Sequence, residues 1–293
     1  MKVAAVIPAY NEELAIGSVV LRTRKYVDKV IVVDDGSKDN TAEIAEMAGA
    51  EVIRLGKNHG KAYALKKGIE RAKDLGYQVV VTLDGDGQHN PDEIPAVIEP
   101  VLKGEADLVI GSRFLNNSNR RIPKYRVLGQ KVLNLATNLG SEVKVTDSQS
   151  GFRAFNGKIL EILTNEFESE GYNIESDMIM YLSGKCRIKE VPISVKYEVP
   201  NKHKKNPFAH GVEVLMNILG YVGQKKPLLF FCVPGFVFLL IGILFGFWAL
   251  LIYSSTGYFP IPHSFGSIVF LNIGALAIII GLFLNVLVRV MKK

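Results

Sequence analysis

The chain has 293 residues and a formal net charge of +6 at pH 7, and its length suggests roughly two domains. Residues 227–293 contain no Asp or Glu and supply +3 of this charge, so residues 1–226 supply the other +3. So small a basic excess makes nucleic acid a poor candidate partner. The two cysteines are too few to form a metal cluster.

Short apolar runs alternate with helical patterns along the first part of the chain. The predicted strand and helix pairs are 3–7 with 13–25, 29–33 with 41–48, 51–55 with 61–75, and 79–83 with 91–102, followed by a strand at 108–110. Such alternation is typical of βαβ units, in which helices cover a largely parallel sheet. The sequence therefore predicts the α/β class.

After residue 110 the pattern becomes less regular. A polar, basic stretch at 112–126 precedes a predicted helix near 127–139, and strand-like pieces at 187–191 and 194–197 close this part of the chain. The apolar, nearly uncharged segment 208–222 predicts an interfacial helix that lies on a membrane surface.

Two long uncharged segments follow, at 228–253 and 265–288. Each exceeds the ~20 apolar residues that cross a bilayer core, although a buried helical hairpin in a soluble protein is the alternative. The linker 254–263 has no Lys or Arg, whereas basic residues flank the pair on both outer sides. The positive-inside rule then predicts a hairpin with both ends cytosolic.

The domain organisation follows from these segments. The N-terminal apolar run is too short for a signal peptide and is interrupted by Pro8, so the first domain is expected to stay in the cytosol. We therefore expect a cytosolic domain at 1–206, an interfacial helix at 207–226 and a transmembrane hairpin at 227–293.

The most informative motif is Asp84-Gly85-Asp86-Gly87-Gln88-His89, directly after the strand at 79–83. Open α/β sheets bind ligands at the carboxyl ends of their strands, where these two carboxylates are expected to lie. Mg²⁺ and Mn²⁺ take one or two carboxylates together with substrate phosphates and water. The motif predicts a metal–phosphate site, with an ordinary Asp-Gly turn as the alternative.

Three other polar motifs follow neighbouring strands: 8–12, 33–37 and 58–61. Their shared position predicts a nucleotide at one edge of the sheet, with Lys61 and a helix N-terminus facing an anion. Residues 56–62 lack the spacing and the Ser or Thr of a Walker A loop, and no Gly-x-Gly-x-x-Gly follows the first strand. P-loop enzymes and typical dinucleotide binders are thereby excluded.

Six motifs in order resemble the inverting, family 2 glycosyltransferases of the GT-A fold, and in particular the polyprenyl-phosphate branch typified by dolichol-phosphate mannose synthase. The motifs are Pro8-Ala9-Tyr10-Asn11-Glu12, Val33-Asp34-Asp35-Gly36-Ser37, Asn58-x-Gly60-Lys61, Asp84 to His89, Gly111-Ser112-Arg113 and Ser150-Gly151-Phe152-Arg153. The resemblance covers residues 1–226, and a C-terminal membrane hairpin also occurs in that branch.

The resemblance implies a role for each matching position. The nucleotide sugar is expected at Pro8, Tyr10, Glu12, Asp35, Lys61 and Asp84, the Mg²⁺ or Mn²⁺ ion at Asp86 and Gln88, and the lipid phosphate at Arg113 and Arg126. Asp84, Asp86, Arg113 and Arg126 are the candidate catalytic residues. The family often has a serine four residues after the second arginine, where this chain has Gln130.

A polyprenyl phosphate is mostly dianionic at pH 7, because its second pKa is near 6, so it needs no strong base to attack. Asp147, Glu175 and Asp177 could act as a base, but orientation of Arg153 or a purely structural role is the preferred interpretation. The basic runs 120–126 and 202–205 favour contact with lipid phosphate or membrane over a solvated surface. Arg153, Lys202 and Lys204 are thus further candidates for the lipid phosphate.

The sequence as a whole predicts transfer of one hexose from a nucleotide sugar to dolichyl or polyprenyl phosphate on the cytosolic membrane face. A processive polysaccharide synthase is the first alternative, but its Gln-x-x-Arg-Trp motif is absent, since the only tryptophan is Trp248 in a predicted span. A non-catalytic nucleotide-sugar-binding scaffold is the second. GDP-mannose, UDP-glucose and UDP-N-acetylglucosamine remain open as donors.

Overall fold

The computed structural model describes residues 1–115, 124–165, 174–196 and 227–291, and singly residues 216, 220 and 223. The chain divides into two units, Met1–Leu215 and Met216–Lys293. Most of the predicted interfacial helix at 208–222 lies outside the described residues. The same holds for residues 120–123 of the first basic run, and for Lys202 and Lys204 in the second.

The described residues of the first unit form a seven-stranded sheet in the order β3-β2-β1-β4-β6-β5-β7. The strands are β1 Val3–Ala9, β2 Lys29–Asp34, β3 Glu51–Arg54, β4 Val79–Thr82, β5 Leu108–Ser112, β6 Arg153–Asn156 and β7 Ile188–Pro192. Neighbouring strands run parallel except at β6, which is antiparallel to both β4 and β5. The predicted α/β fold with a mostly parallel sheet is confirmed.

Helices cover both faces of the sheet. They are α1 Ile16–Thr23, α2 Thr41–Met47, α3 Lys61–Asp74, α4 Ile94–Leu102, α5 Lys124–Gly140, α6 Gly157–Asn165 and α7 Ile174–Leu182. Successive residues of a strand point to opposite faces, so Ala5 and Ile7 of β1 enter one hydrophobic core while Ala4 and Val6 enter the other. This double burial explains why the central strands read as continuous apolar runs.

Three elements, β6, α6 and α7, were not predicted, and one prediction was wrong. The four residues of β6 begin with Arg153 and end with Asn156, a composition that does not indicate a buried strand. Only its two middle residues are apolar, and each packs into a different core. The strand predicted at 194–197 is instead an isolated bridge between Val195 and His89, within the part that is described.

The second unit contains a π-helical turn at Leu228–Cys232 followed by α8 Val233–Thr256 and α9 Ile261–Met291. The two helices pack at glycines: a Cβ on Gly274 would lie only 2.6 Å from the Gly235 carbonyl oxygen. Leu228–Thr256 and Ile261–Val288 are long and apolar enough to cross a membrane. In the most apolar 18-residue window of each, only 11% and 17% of the residues are buried, unlike a core helix of a soluble protein.

A glycine sets the distance between α3 and the sheet. A Cβ at Gly68 would lie 2.3 Å from Cγ1 of Val6 and 3.0 Å from Cγ2 of Val33, both on buried strands. Alanine is a better helix former than glycine by about 1 kcal/mol, but overpacking a core costs about 1–3 kcal/mol. Because Val6 and Val33 are branched and buried, the cost of overpacking is expected to exceed the gain in helix propensity.

Gly68→Ala should therefore lower the thermal midpoint of the first unit by roughly 3–6 °C. The measurement is reaction of Cys186, which packs against the core, with a thiol-reactive dye during heating, in a Cys232→Ser background. Gly129→Ala is the control, because that position in α5 has no described atom within 4 Å, and its midpoint should stay or rise. A higher midpoint for Gly68→Ala would contradict the packing argument.

Candidate active site

The candidate site lies where the strand order changes direction. From β1 the chain adds β2 and then β3 on one side, and β4 then pairs with the other side of β1. Open α/β sheets bind ligands at such a switch point, beyond the carboxyl ends of the strands. The polar motifs that follow β1, β2 and β4 meet there, together with the start of α3.

A cavity of about 580 Å³ opens at this edge, within the usual range for a small-molecule site. Every residue predicted to bind the nucleotide sugar lines this cavity, and so does Asp86. Gln88 is not among the lining residues. The lining residues are Pro8, Ala9, Tyr10, Glu12, Asp35, Asn58, Gly60, Lys61, Ala64, Asp84, Gly85 and Asp86.

Hydrogen bonds within the acidic loop fix the backbone at Asp84 and the carboxylate of Asp86. The backbone N–H of Asp84 donates to Nδ1 of His89 at 3.2 Å, and that of Gln88 donates to Oδ1 of Asp86 at 3.0 Å. Burial lowers the pKa of His89 to about 4, so the ring is neutral and accepts this bond. Gly87 has φ +74°, a left-handed conformation that glycine adopts without strain.

The carboxylates of the site repel one another. Burial, followed by repulsion from Asp86 and Asp84, raises the pKa of Glu12 to about 8. Burial and the charge of Asp84 likewise raise the pKa of Asp86 to about 6. A divalent cation would relieve this excess of negative charge.

The donor set fits such a cation. Asp86 and Gln88 offer the oxygen ligands that Mg²⁺ and Mn²⁺ prefer. No group of three or more His, Cys, Asp and Glu side chains suited to a metal occurs among the described residues. An ion at Asp86 would therefore complete its shell with substrate phosphate and water, as Mg²⁺ commonly does.

Lys61, the first residue of α3, lies between two carboxylates. Its Nζ is 2.6 Å from Oδ1 of Asp84 and 2.6 Å from Oε1 of Glu175 on α7. Burial raises the pKa of Asp84, but the ammonium of Lys61 outweighs it and lowers the pKa to about 2. Burial disfavours the charge on Lys61, yet the two carboxylates raise its pKa. These shifts keep Asp84 and Lys61 charged at neutral pH.

Asp35 pins the loop before α3. Its Oδ1 accepts the backbone N–H of His59 at 2.7 Å, and its Oδ2 accepts that of Gly60 at 2.8 Å. The carboxylate therefore fixes one wall of the cavity, whatever contact it makes with a ligand. This double acceptance was not predicted from the sequence.

Arg113 at the end of β5 is held by a buried carboxylate. Its Nε donates to Oδ2 and its Nη2 to Oδ1 of Asp147, each at 2.7 Å, and Asp147 is fully buried. With its amide oxygen turned inward, Gln130 accepts from the same guanidinium at 3.2 and 3.3 Å. Arg126 precedes Gln130 by four residues in α5, but its side chain is not among those that the structure describes.

Two interpretations involving Arg153 are wrong. Its guanidinium donates to the carbonyls of Ser150 at 2.8 Å and Ser148 at 3.0 Å, and it is only 1% exposed, so a lipid phosphate does not reach it. Burial also lowers its pKa to about 10. Asp147 and Glu175 do not orient it, since they pair with Arg113 and Lys61.

The fold and the site define a glycosyltransferase of the GT-A type. The family model "Glycosyl transferase family 2" matches residues 4–163, and the chain belongs to this family, as the motifs predicted.

Two relatives and one solved structure illustrate the similarity. The UDP-N-acetylglucosamine–dolichyl-phosphate N-acetylglucosaminyltransferase of Methanococcus voltae is 37% identical over 66% of this chain and 84% of that protein. The undecaprenyl-phosphate mannosyltransferase of Micrococcus luteus is 33% identical over 66% of this chain and 83% of that protein. Glucosyl-3-phosphoglycerate synthase from Mycobacterium tuberculosis, solved with Mn²⁺, UDP-glucose and phosphoglyceric acid, is 25% identical with a TM-score of 0.57, covering 76% of this chain and 80% of that one.

Gly151 leaves room for the lysine. A Cβ there would lie 2.9 Å from Nζ of Lys61 and 3.1 Å from Oδ1 of Asp84. A misplacement of about 1 Å in an active site can cost about 100-fold in rate. Gly151→Ala should therefore lower kcat/KM for the nucleotide sugar by about 10- to 100-fold without unfolding the protein.

The control for this prediction is Gly157→Ala, where the nearest described atom is 3.8 Å from the added Cβ. Transfer assays on both variants, with their thermal midpoints, test the argument. Wild-type kinetics in Gly151→Ala would show that the ion pair has more room than the structure gives it.

Proposed function

We propose that the protein transfers one hexose, with inversion, from a nucleotide-diphosphate sugar to dolichyl or another polyprenyl phosphate. The observation that carries this proposal is the nucleotide-sized cavity whose carboxylates include an acidic pair after β4. Family membership supports it, as do the dolichyl and undecaprenyl phosphates in the names of the two relatives.

On the donor side, Pro8, Tyr10, Glu12 and Asp35 hold the nucleotide, and Asp84 contacts the ribose or sugar. Mg²⁺ or Mn²⁺, held by Asp86 and Gln88, would supply positive charge to the leaving diphosphate. The Mn²⁺ bound by the Mycobacterium tuberculosis synthase supports this choice of metals.

On the acceptor side, Arg113 and Arg126 receive the lipid phosphate, with Gln130 beside Arg113. A phosphate oxygen attacks C1 of the sugar, and the bond from C1 to the diphosphate oxygen breaks. Because the acceptor is already mostly dianionic at pH 7, no side chain has to remove a proton. Asp147 serves this step by fixing Arg113 through two charged hydrogen bonds.

The acceptor is a membrane lipid, which agrees with the two apolar helices. In this proposal residues 1–206 form the cytosolic catalytic domain, 207–226 an interfacial helix and 227–293 a transmembrane hairpin with both termini cytosolic. Lys202 and Lys204 then lie next to the membrane and its anionic headgroups.

Membranes containing the protein should transfer label from one nucleotide sugar to dolichyl phosphate in the presence of Mg²⁺ or Mn²⁺. UDP-N-acetylglucosamine is tested first, because the Methanococcus voltae relative is named for it. GDP-mannose and UDP-glucose follow. Label extracted into organic solvent is counted. No lipid-bound label with any of these donors would overturn the proposal.

Asp86→Asn should reduce transfer by at least about 100-fold, because it removes the charged metal ligand at the leaving group. Metal-dependent donor binding should be lost with it. Asp74→Asn, an exposed aspartate at the end of α3, is the matched control. Normal turnover in Asp86→Asn would refute the metal assignment.

Arg126→Ala should raise KM for the lipid phosphate by about 10- to 100-fold, as expected for the loss of a charged hydrogen bond worth about 1.5–3 kcal/mol. Donor affinity should stay the same. Lys131→Ala, an exposed residue of the same helix, controls for loss of surface charge. An unchanged lipid KM would remove Arg126 from the acceptor site.

A further inference from the structure

Glu175 is a buried carboxylate for which the proposed reaction has no use. It lies in the first turn of α7, is 7% exposed and contacts Nζ of Lys61 at 2.6 Å. Asp84 contacts the same nitrogen at 2.6 Å. These three residues form the lysine–carboxylate triad.

Two carboxylates hold the ammonium of Lys61. Asp84 approaches from the loop after β4 and Glu175 from α7, each by an ion pair. Gly151 lies on another side of the ammonium and leaves room for it, because an added Cβ there would come within 2.9 Å of Nζ. The lysine therefore has little freedom to leave its position.

The second carboxylate changes what the lysine can do when a donor binds. A single Lys61–Asp84 pair would be neutral, and its ammonium could turn toward the diphosphate, which brings more negative charge than one carboxylate. With Glu175 present, the triad has a net charge of −1. The second carboxylate therefore favours an ammonium that stays beside Asp84 when the diphosphate binds.

A direct role for Glu175 in proton removal does not fit its surroundings. The void that it lines with Leu65, Ile174 and Met178 measures about 10 Å³, room for one water at most. An acceptor phosphate cannot enter from that side. A general base has to come within hydrogen-bond reach of the proton that it removes.

We infer that Glu175 is a positioning residue that acts through Lys61, holding the ammonium against Asp84 so that this carboxylate keeps one orientation toward the donor. The inference rests on the proposed function, which gives Asp84 its contact with the ribose or sugar. Glu175 thus affects binding of the nucleotide sugar. It takes no part in binding the lipid phosphate or in proton transfer.

The first test is Glu175→Gln, which removes the charge and keeps the shape. The expected result is a fall of about 10-fold or more in kcat/KM for the nucleotide sugar, since Asp84 is no longer held in place. KM for the lipid phosphate and the shape of the pH–rate profile should not change. Glu175→Asp should recover part of the loss.

The matched control is Glu70→Gln. Glu70 also pairs with a lysine of α3, Lys67, at 2.8 Å, but this pair lies on the surface. The substitution removes the same charge from a lysine–glutamate pair on the same helix. Its kinetics should equal those of the wild type, because exposed pairs of this kind contribute little.

The decisive test is coupling between Glu175 and Lys61. In a Lys61→Gln background, adding Glu175→Gln should change donor KM by less than about twofold, because Glu175 acts only through the lysine. Losses that multiply in the double variant, or loss of one limb of the pH–rate profile in Glu175→Gln, would overturn the inference. Either result would mean that Glu175 acts directly.

The experiments distinguish failure of this inference from misfolding of a variant and from failure of the proposed function. If Glu175→Gln alone does not fold, Lys61→Gln is compared with the double variant, and a further rise in donor KM would still overturn the inference. If the wild type transfers no sugar to lipid, the proposed function fails. The coupling is then measured from thermal stabilisation by UDP or GDP with Mn²⁺, which needs no acceptor.

Discussion

Repulsion among the carboxylates at the ends of β1 and β4 is the constraint on which the rest of the site depends. Parallel strands bring their carboxyl ends to one edge, so Glu12, Asp84 and Asp86 are crowded into a single cavity. The protein offsets part of this charge with Lys61, which lowers the pKa of Asp84. Glu12 and Asp86 keep raised pKa values, and a cation that entered with a ligand would relieve the remaining repulsion.

The two sides of the site solve the problem of holding a charged group in the same way. Lys61 on the proposed donor side and Arg113 on the proposed acceptor side are each fixed by a carboxylate that is itself buried, Glu175 and Asp147. Removing one partner of a buried pair is far more costly than losing a surface pair, so both arrangements are rigid. Charged side chains that are already held in place need no reorganisation when the substrates bind.

The sequence predicted the elements whose signals are local. Strands β1 to β5 follow from apolar runs, and the meeting of the motifs after β1, β2 and β4 follows from their positions at strand ends. Strand β6 was missed because Arg153 is buried by tertiary contacts rather than by its own hydrophobicity. The pairing of Lys61 with Glu175 joins distant parts of the chain, and its one local signal is a carboxylate in the apolar helix α7.

The reversed strand β6 decides which part of the chain faces each substrate. Because it runs against β4 and β5, its first residue, Arg153, pairs with Thr82 and Ile110 at the edge where those strands end. The chain thus leaves this edge after β5 and returns to it at β6, and the described residues between these two strands include Arg113, Gln130 and Asp147. Under the proposed function, a different segment between β5 and β6 would change the acceptor while the earlier strands kept the nucleotide site, and the structurally similar synthase was crystallised with a different acceptor, phosphoglyceric acid.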